Sequence, residues 1–132
     1  MGDGRMSTLK VNALQDTSGV GFYPARAWVN FNGVGTVSIR DDKNVSSLTD
    51  NSSGNYTVNF SNSVSNNNYC CNFSATDNGT GPDQTDGYAY GSWSRGSTAV
   101  VYATGSMRVG LGYPANYLSY DQTHINISIV GD

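Results

Sequence analysis

Acid–base catalysis needs a positioned imidazole or a pair of carboxylates. This chain offers one histidine, His124, and ten acidic residues, all of them Asp. His124 opens the run HINISIV, where an imidazole at a strand end facing solvent needs no chemical role, and no partner lies beside it in sequence. No serine sits in a G-x-S-x-G elbow. Nearly every Asp falls in a turn cluster, where its carboxylate accepts hydrogen bonds from nearby backbone N–H groups. Glycoside hydrolysis would need two carboxyls converging across a sugar bond, and the spacing singles out no such pair. The sequence therefore assigns no catalytic residue.

Metal and thiol chemistry fare similarly. Asp77, Asn78, Asp83 and Asp86 bring hard oxygen ligands of the kind calcium prefers. Their spacing departs from the twelve-residue calcium loop, and the bidentate Glu is missing, so the stretch reads as a solvated loop. Neither a metal nor a cofactor is assigned. Cys70 and Cys71 are adjacent. In a strand their side chains point to opposite faces, which disfavours a mutual disulfide, and no second pair exists to complete a zinc site. Both are expected to be reduced, with Cys71 buried beside Tyr69 and Phe73. The N-x-S/T matches, such as Asn55–Thr57 and Asn126–Ser128, follow from the Asn-rich composition.

Aromatic residues are the remaining source of binding chemistry. Tyr88, Tyr90 and Trp93 follow a long loop, and Tyr113, Tyr117 and Tyr120 crowd a second connection rich in Gly, Asn and Pro. Rigid Tyr and Trp set among Asn, Ser and Gly make adaptable recognition surfaces. These six are the candidate contacts for a glycan or a protein surface. The same rings could instead cover the open ends of a barrel or pack between protomers.

These side chains must be positioned by β structure. Gly, Ser, Asn and Thr make up 59 of the 132 residues, and 13% are charged. Good helix formers are scarce, while turn formers and β-branched or aromatic residues abound. That balance excludes a helical bundle and a doubly wound α/β enzyme. Alternation of period two recurs in Leu9, Val11 and Ala13; in Ala27, Val29 and Phe31, with Trp28 facing the other way; and in Tyr56, Val58 and Phe60. It appears again in Tyr69, Cys71, Phe73 and Ala75, and in Ile125, Ile127 and Ile129. Asn32 to Gly35 reads as a hairpin turn returning through Val37 and Ile39. Val45 and Leu48, three apart, predict a bulge or corner, and Asp50 to Asn55 another turn. Further strands are expected at 88–93, 98–103, 107–111 and 124–130. Eight or nine short strands predict a compact antiparallel β-sandwich or jelly-roll-like domain over residues 25–132, preceded by an extended arm over 1–24.

The same composition bounds the partners. Seven cations and a net charge of −3 leave no basic patch for phosphate neutralisation, so nucleic acid is not expected. No apolar run reaches a membrane span, and no basic stretch followed by an apolar one opens the chain. The expected product is soluble and made in a cytoplasm. Five Leu and four Phe form a thin core, so burial against sister chains is also expected.

Across Ala25 to Phe73 the chain resembles the tail-fibre-like virion structural proteins of tailed phages, marine cyanobacterial phages above all. The segments that carry the likeness are ARAWVNFNGVGTVSIR, NVSSLTDNSSGNYTVNF and NNNY, with TLKVNALQDTSG resembling the opening of such proteins. Together they cover about half the chain, and the likeness stops near Asn78. The resemblance implies a non-enzymatic virion component on the tail or capsid surface, assembled in the host cytoplasm as a homotrimer alongside other virion proteins. It makes the arm, with Leu9, Val11 and Leu14, the candidate virion anchor. It makes 77–93 and 113–120 the candidate loops facing the host. A chain of 132 residues has no room for a long shaft, so a short fibre, a fibre tip and a head decoration or head-fibre protein all remain open. A free carbohydrate-binding module is the alternative outside the virion.

Overall fold

The computed structural model describes residues 15, 17–19, 21, 24–76, 101–113 and 118–131. All regular structure among them is β. The strands are β1 (Ala25–Asn32), β2 (Ser38–Lys43), β3 (Val45–Ser52), β4 (Asn55–Phe60), β5 (Cys70–Thr76), β6 (Val101–Tyr102), β7 (Ser106–Gly110), β8 (Gly112–Tyr113), β9 (Leu118–Ser119) and β10 (His124–Val130). Two four-stranded antiparallel sheets result, in the orders β2-β1-β10-β5 and β3-β4-β7-β6, with β8 and β9 as a separate small ribbon.

Alternation explains how the sheets share one core. Ala27, Val29 and Phe31 of β1 and Ile125, Ile127 and Ile129 of β10 turn inward from the first sheet. Tyr56, Val58 and Phe60 of β4, with Met107 and Val109 of β7, turn inward from the second. All join a single apolar cluster, and the Phe31 and Tyr56 rings meet edge to face across it at 5.1 Å. The arrangement is sandwich-like. Burying one such Ile or Phe contributes about 1.5–3 kcal/mol, so the three inward positions of β10 are a large share of the core.

The irregular spacing of Val45 and Leu48 marks both a corner and a bulge. Asn44 separates β2 from β3, where the chain leaves one sheet for the other, and it adopts a left-handed φ of 58°. Asn tolerates that region because its amide can bond locally. Here Asn44 Nδ2 donates to the carbonyls of Arg26 and Asn62, at 3.1 and 3.0 Å, and its Oδ1 accepts from Asn62 N at 2.8 Å. A register shift between Val45 and Ser47 adds the bulge.

Turn boundaries differ from the sequence expectation in two places. The hairpin after β1 is wider than Asn32–Gly35, since the return strand begins at Ser38. The turn expected over Asp50 to Asn55 narrows to Ser53 and Gly54, because β3 continues through Ser52. Cross-strand pairing outweighed the local turn preference of Asp50, Asn51 and Ser52. Cys70 and Cys71 are unbridged; Cys71, expected to be buried, is only half-buried, packing against the core cluster from the edge strand β5.

Candidate binding face

Most residues that the sequence nominated lie outside the described residues: Leu9, Val11, Leu14, Tyr88, Tyr90, Trp93 and Tyr117, together with the Asp77–Asp86 loop. Tyr113 ends β8. Tyr120 follows β9, half-buried, with its backbone N and O close against Gly54. His124 begins β10 and is exposed, its Nδ1 only 3.4 Å from Thr123 Oγ1. Among the described residues, no group of three or more His, Cys, Asp or Glu is placed to hold a metal ion.

The most polar buried knot belongs to the fold. Tyr56 is fully buried, and its hydroxyl donates to Asp121 Oδ1 at 2.6 Å, with the Gly33 carbonyl 3.1 Å away. Asp121 Oδ1 also accepts from Gly54 N at 2.7 Å. Burial, and then the bond to Asp121 and its negative charge, raise the Tyr56 pKa. The phenol stays protonated and sealed from solvent, so it can hold the turn and the strand together but cannot reach a substrate. Partial burial, and then the neighbouring Cys70, push the Cys71 thiol up to about 12, which disfavours the nucleophilic thiolate.

The solvent-facing side of the first sheet is different. Residues pointing away from the core fall into two cross-strand rows: Lys43, Trp28, Ser128 and Asn72, then Asp41, Asn30, Asn126 and Ser74. Asn30 Nδ2 donates to Asn126 Oδ1 at 2.5 Å, and Asn126 Nδ2 donates to Ser74 Oγ at 3.2 Å. The central strand β10 contributes the small Ser128 between the bulkier Trp28 and Asn72. The result is a hollow of about 360 Å³. Sequence alternation had placed Trp28 opposite Ala27 and Val29, but it could not show which amides and hydroxyls would surround it.

A second hollow, about 490 Å³, lies at the Asn44 corner and is lined by Arg26, Lys43 and the Ser61–Ser65 segment. Arg26 Nε donates to the Gly131 carbonyl at 2.9 Å, which ties the guanidinium to the residue that follows β10. Lys43 neighbours Trp28 across the β1–β2 ladder.

The outer side of the second sheet is polar in another way. Asn59 Nδ2 donates to Ser47 Oγ and Thr49 Oγ1 at 3.1 and 3.0 Å, and Asn51 Nδ2 donates to Thr57 Oγ1 at 2.9 Å. These amides are spent on their neighbours and form a flat lattice. Of the two faces, the one carrying Trp28 sets an aromatic surface beside amides and hydroxyls around a shallow hollow. No family model matches this chain, and no curated protein or solved structure matches it.

Proposed function

We propose that this chain is a non-enzymatic structural protein of a tailed-phage particle, a short tail-fibre component or fibre tip that contacts the host surface. The observation that carries the reading is where the resemblance falls. ARAWVNFNGVGTVSIR spans β1 and the start of β2, and NVSSLTDNSSGNYTVNF spans the corner, β3 and β4. The likeness therefore covers the framework that joins both sheets. Loops outside that framework can vary while the sandwich stays, as a host-contacting protein requires.

Assembly as a homotrimer belongs to the same proposal. β5 ends the first sheet, seven residues with neither a charge nor a proline, and no described strand pairs with its outer edge. Such an edge invites pairing with another chain unless something covers it. β2, the opposite edge, carries Arg40, Asp41, Asp42 and Lys43, the charged pattern that guards an edge.

Light scattering coupled to size exclusion tests the assembly. Three copies of the 14.0 kDa chain give 42 kDa, whereas a 14.0 kDa species would refute the trimer for the isolated chain. Immunogold labelling of particles tests the location. Label at the tail end supports the proposal; label over the head replaces it with a decoration protein, and particles without label remove the virion reading.

A further inference from the structure

We infer that the hollow beside Trp28 binds a neutral hexopyranose unit of a glycan. The hollow's lining is the first reason. Trp28, Asn30, Asn72, Ser74, Asn126 and Ser128 supply its side chains, and none of them is charged. Lys43 and Asp41, one of each sign, stand beside it as the β2 partners of Trp28 and Asn30, and the hollow itself offers amides and hydroxyls, which suit a ligand whose polarity is carried by hydroxyl groups. An aromatic wall beside amides suits a sugar ring, which has an apolar C–H face and a polar rim.

The hydrogen-bonding inventory points the same way. Asn30, Asn126 and Ser74 are chained to one another, which fixes their orientation while leaving each amide with unused capacity. The side chains of Asn72 and Ser128 make no hydrogen bond to another described residue and project from β5 and β10 into the same hollow. Fixed and unspent groups thus alternate around the rim. Hydroxyls at the edge of a ring can replace the waters on Asn72 and Ser128 without breaking the internal chain.

The hollow of about 360 Å³ is open to solvent, so one ring can lie against Trp28 while the rest of the glycan stays in water. The sheet surface is shallow, and single-site affinity is therefore low; three copies on one particle raise it through effective concentration. The inference names the surface and ligand class for the proposed host contact, and rests on that reading for its biological setting. The face itself can be tested on the isolated chain.

The experiment titrates the full chain with neutral hexose oligosaccharides (glucan, galactan and mannan fragments) and follows the Trp28 indole and the Asn72 side-chain amide by ¹H–¹⁵N NMR. Both signals should move for at least one series. Trp28→Ala should weaken binding by about 30-fold, the loss of a central aromatic contact. Because Trp28 is half-buried, Asn72→Ala and Ser128→Ala serve as variants on the exposed face, each weakening binding with unchanged backbone dispersion. Three results would overturn the inference: no movement with any neutral series, movement that persists in all three variants, or binding confined to charged saccharides with shifts at Arg26 and Lys43. Saccharide binding by a chain that labels no particle would leave this site standing and remove the virion reading.

Discussion

Tyr56 and Gly33 form a pair whose coupling can be calculated before it is measured. A Cβ added at Gly33 would lie 2.4 Å from the Tyr56 hydroxyl oxygen and 2.9 Å from both its Cζ and Ile125 Cδ1. Gly33 is not among the positive-φ glycines, so Gly33→Ala meets a shortage of space and no backbone strain. Overpacking of this kind costs about 1–3 kcal/mol. Tyr56→Phe keeps the ring against Phe31 but removes the 2.6 Å bond to Asp121. A hydrogen bond to a charged acceptor contributes about 1.5–3 kcal/mol. Asp121 is half-buried and keeps the Gly54 N–H, which places the loss near the lower end. The double variant removes the nearest clashing atom, so its total should fall short of the sum by at least about 0.5 kcal/mol. Urea unfolding at fixed protomer concentration, followed by circular dichroism, measures all three, with concentration held constant because assembly would shift the midpoint. Additive losses, or a Tyr56→Phe variant as stable as the parent, would refute the knot.

Three further outcomes follow from the backbone and the buried acids. Gly54→Ala, at φ +63° with its Cβ 2.5 Å from the Leu111 carbonyl oxygen, should destabilise more than Gly35→Ala, which at φ +68° has nothing within 4 Å; thermal melts that rank them in reverse would contradict the close packing at the turn. At the corner, Asn44→Gly removes side-chain bonds but accepts the left-handed φ, whereas Asn44→Ala loses both, so the Ala variant should be less stable by about 1 kcal/mol in the same denaturation assay. Burial pushes Tyr69 up to about 12, does the same to Cys71, and raises Tyr56 further. A raised pKa in the folded state means that unfolding releases protons above the unfolded values, near 8.5 for Cys and 10 for Tyr. The urea midpoint should therefore be independent of these groups below about pH 8 and fall steadily from about pH 9 to about pH 12; a midpoint that holds or rises over that interval would show the groups to be solvated.

The core was legible in the sequence because alternation is a local signal. Ala27, Val29 and Phe31, then Ile125, Ile127 and Ile129, needed only the period of two to be placed on one face, and all six are buried. The corner was legible too, since Val45 and Leu48 break that period where Asn44 turns the chain. Asp50, Asn51 and Ser52 misled because each favours a turn on its own. Their strand conformation comes from pairing with Asn55 and Tyr56, which no local preference reports.

The binding face shows why a site is harder to read than a core. Parity places Trp28 outside, but a ligand site requires knowing what stands two strands away. Ser128 reaches Trp28 through the β1–β10 register, and Asn72 reaches Ser128 through β10–β5, separations of 100 and 56 residues in the numbering. A slip of one residue in either ladder would move every outward side chain of that strand into the core. The alternating Ile of β10 forbids that slip, since it would expose three large apolar residues and bury Asn126 and Ser128 without partners. The apolar pattern on the inner face thus fixes the register, and the register in turn gathers the amides and hydroxyls around Trp28. Dense Tyr clusters stand out along the chain because clustering is a local property; a single Trp surrounded from other strands becomes visible only once the inner face has set the ladders.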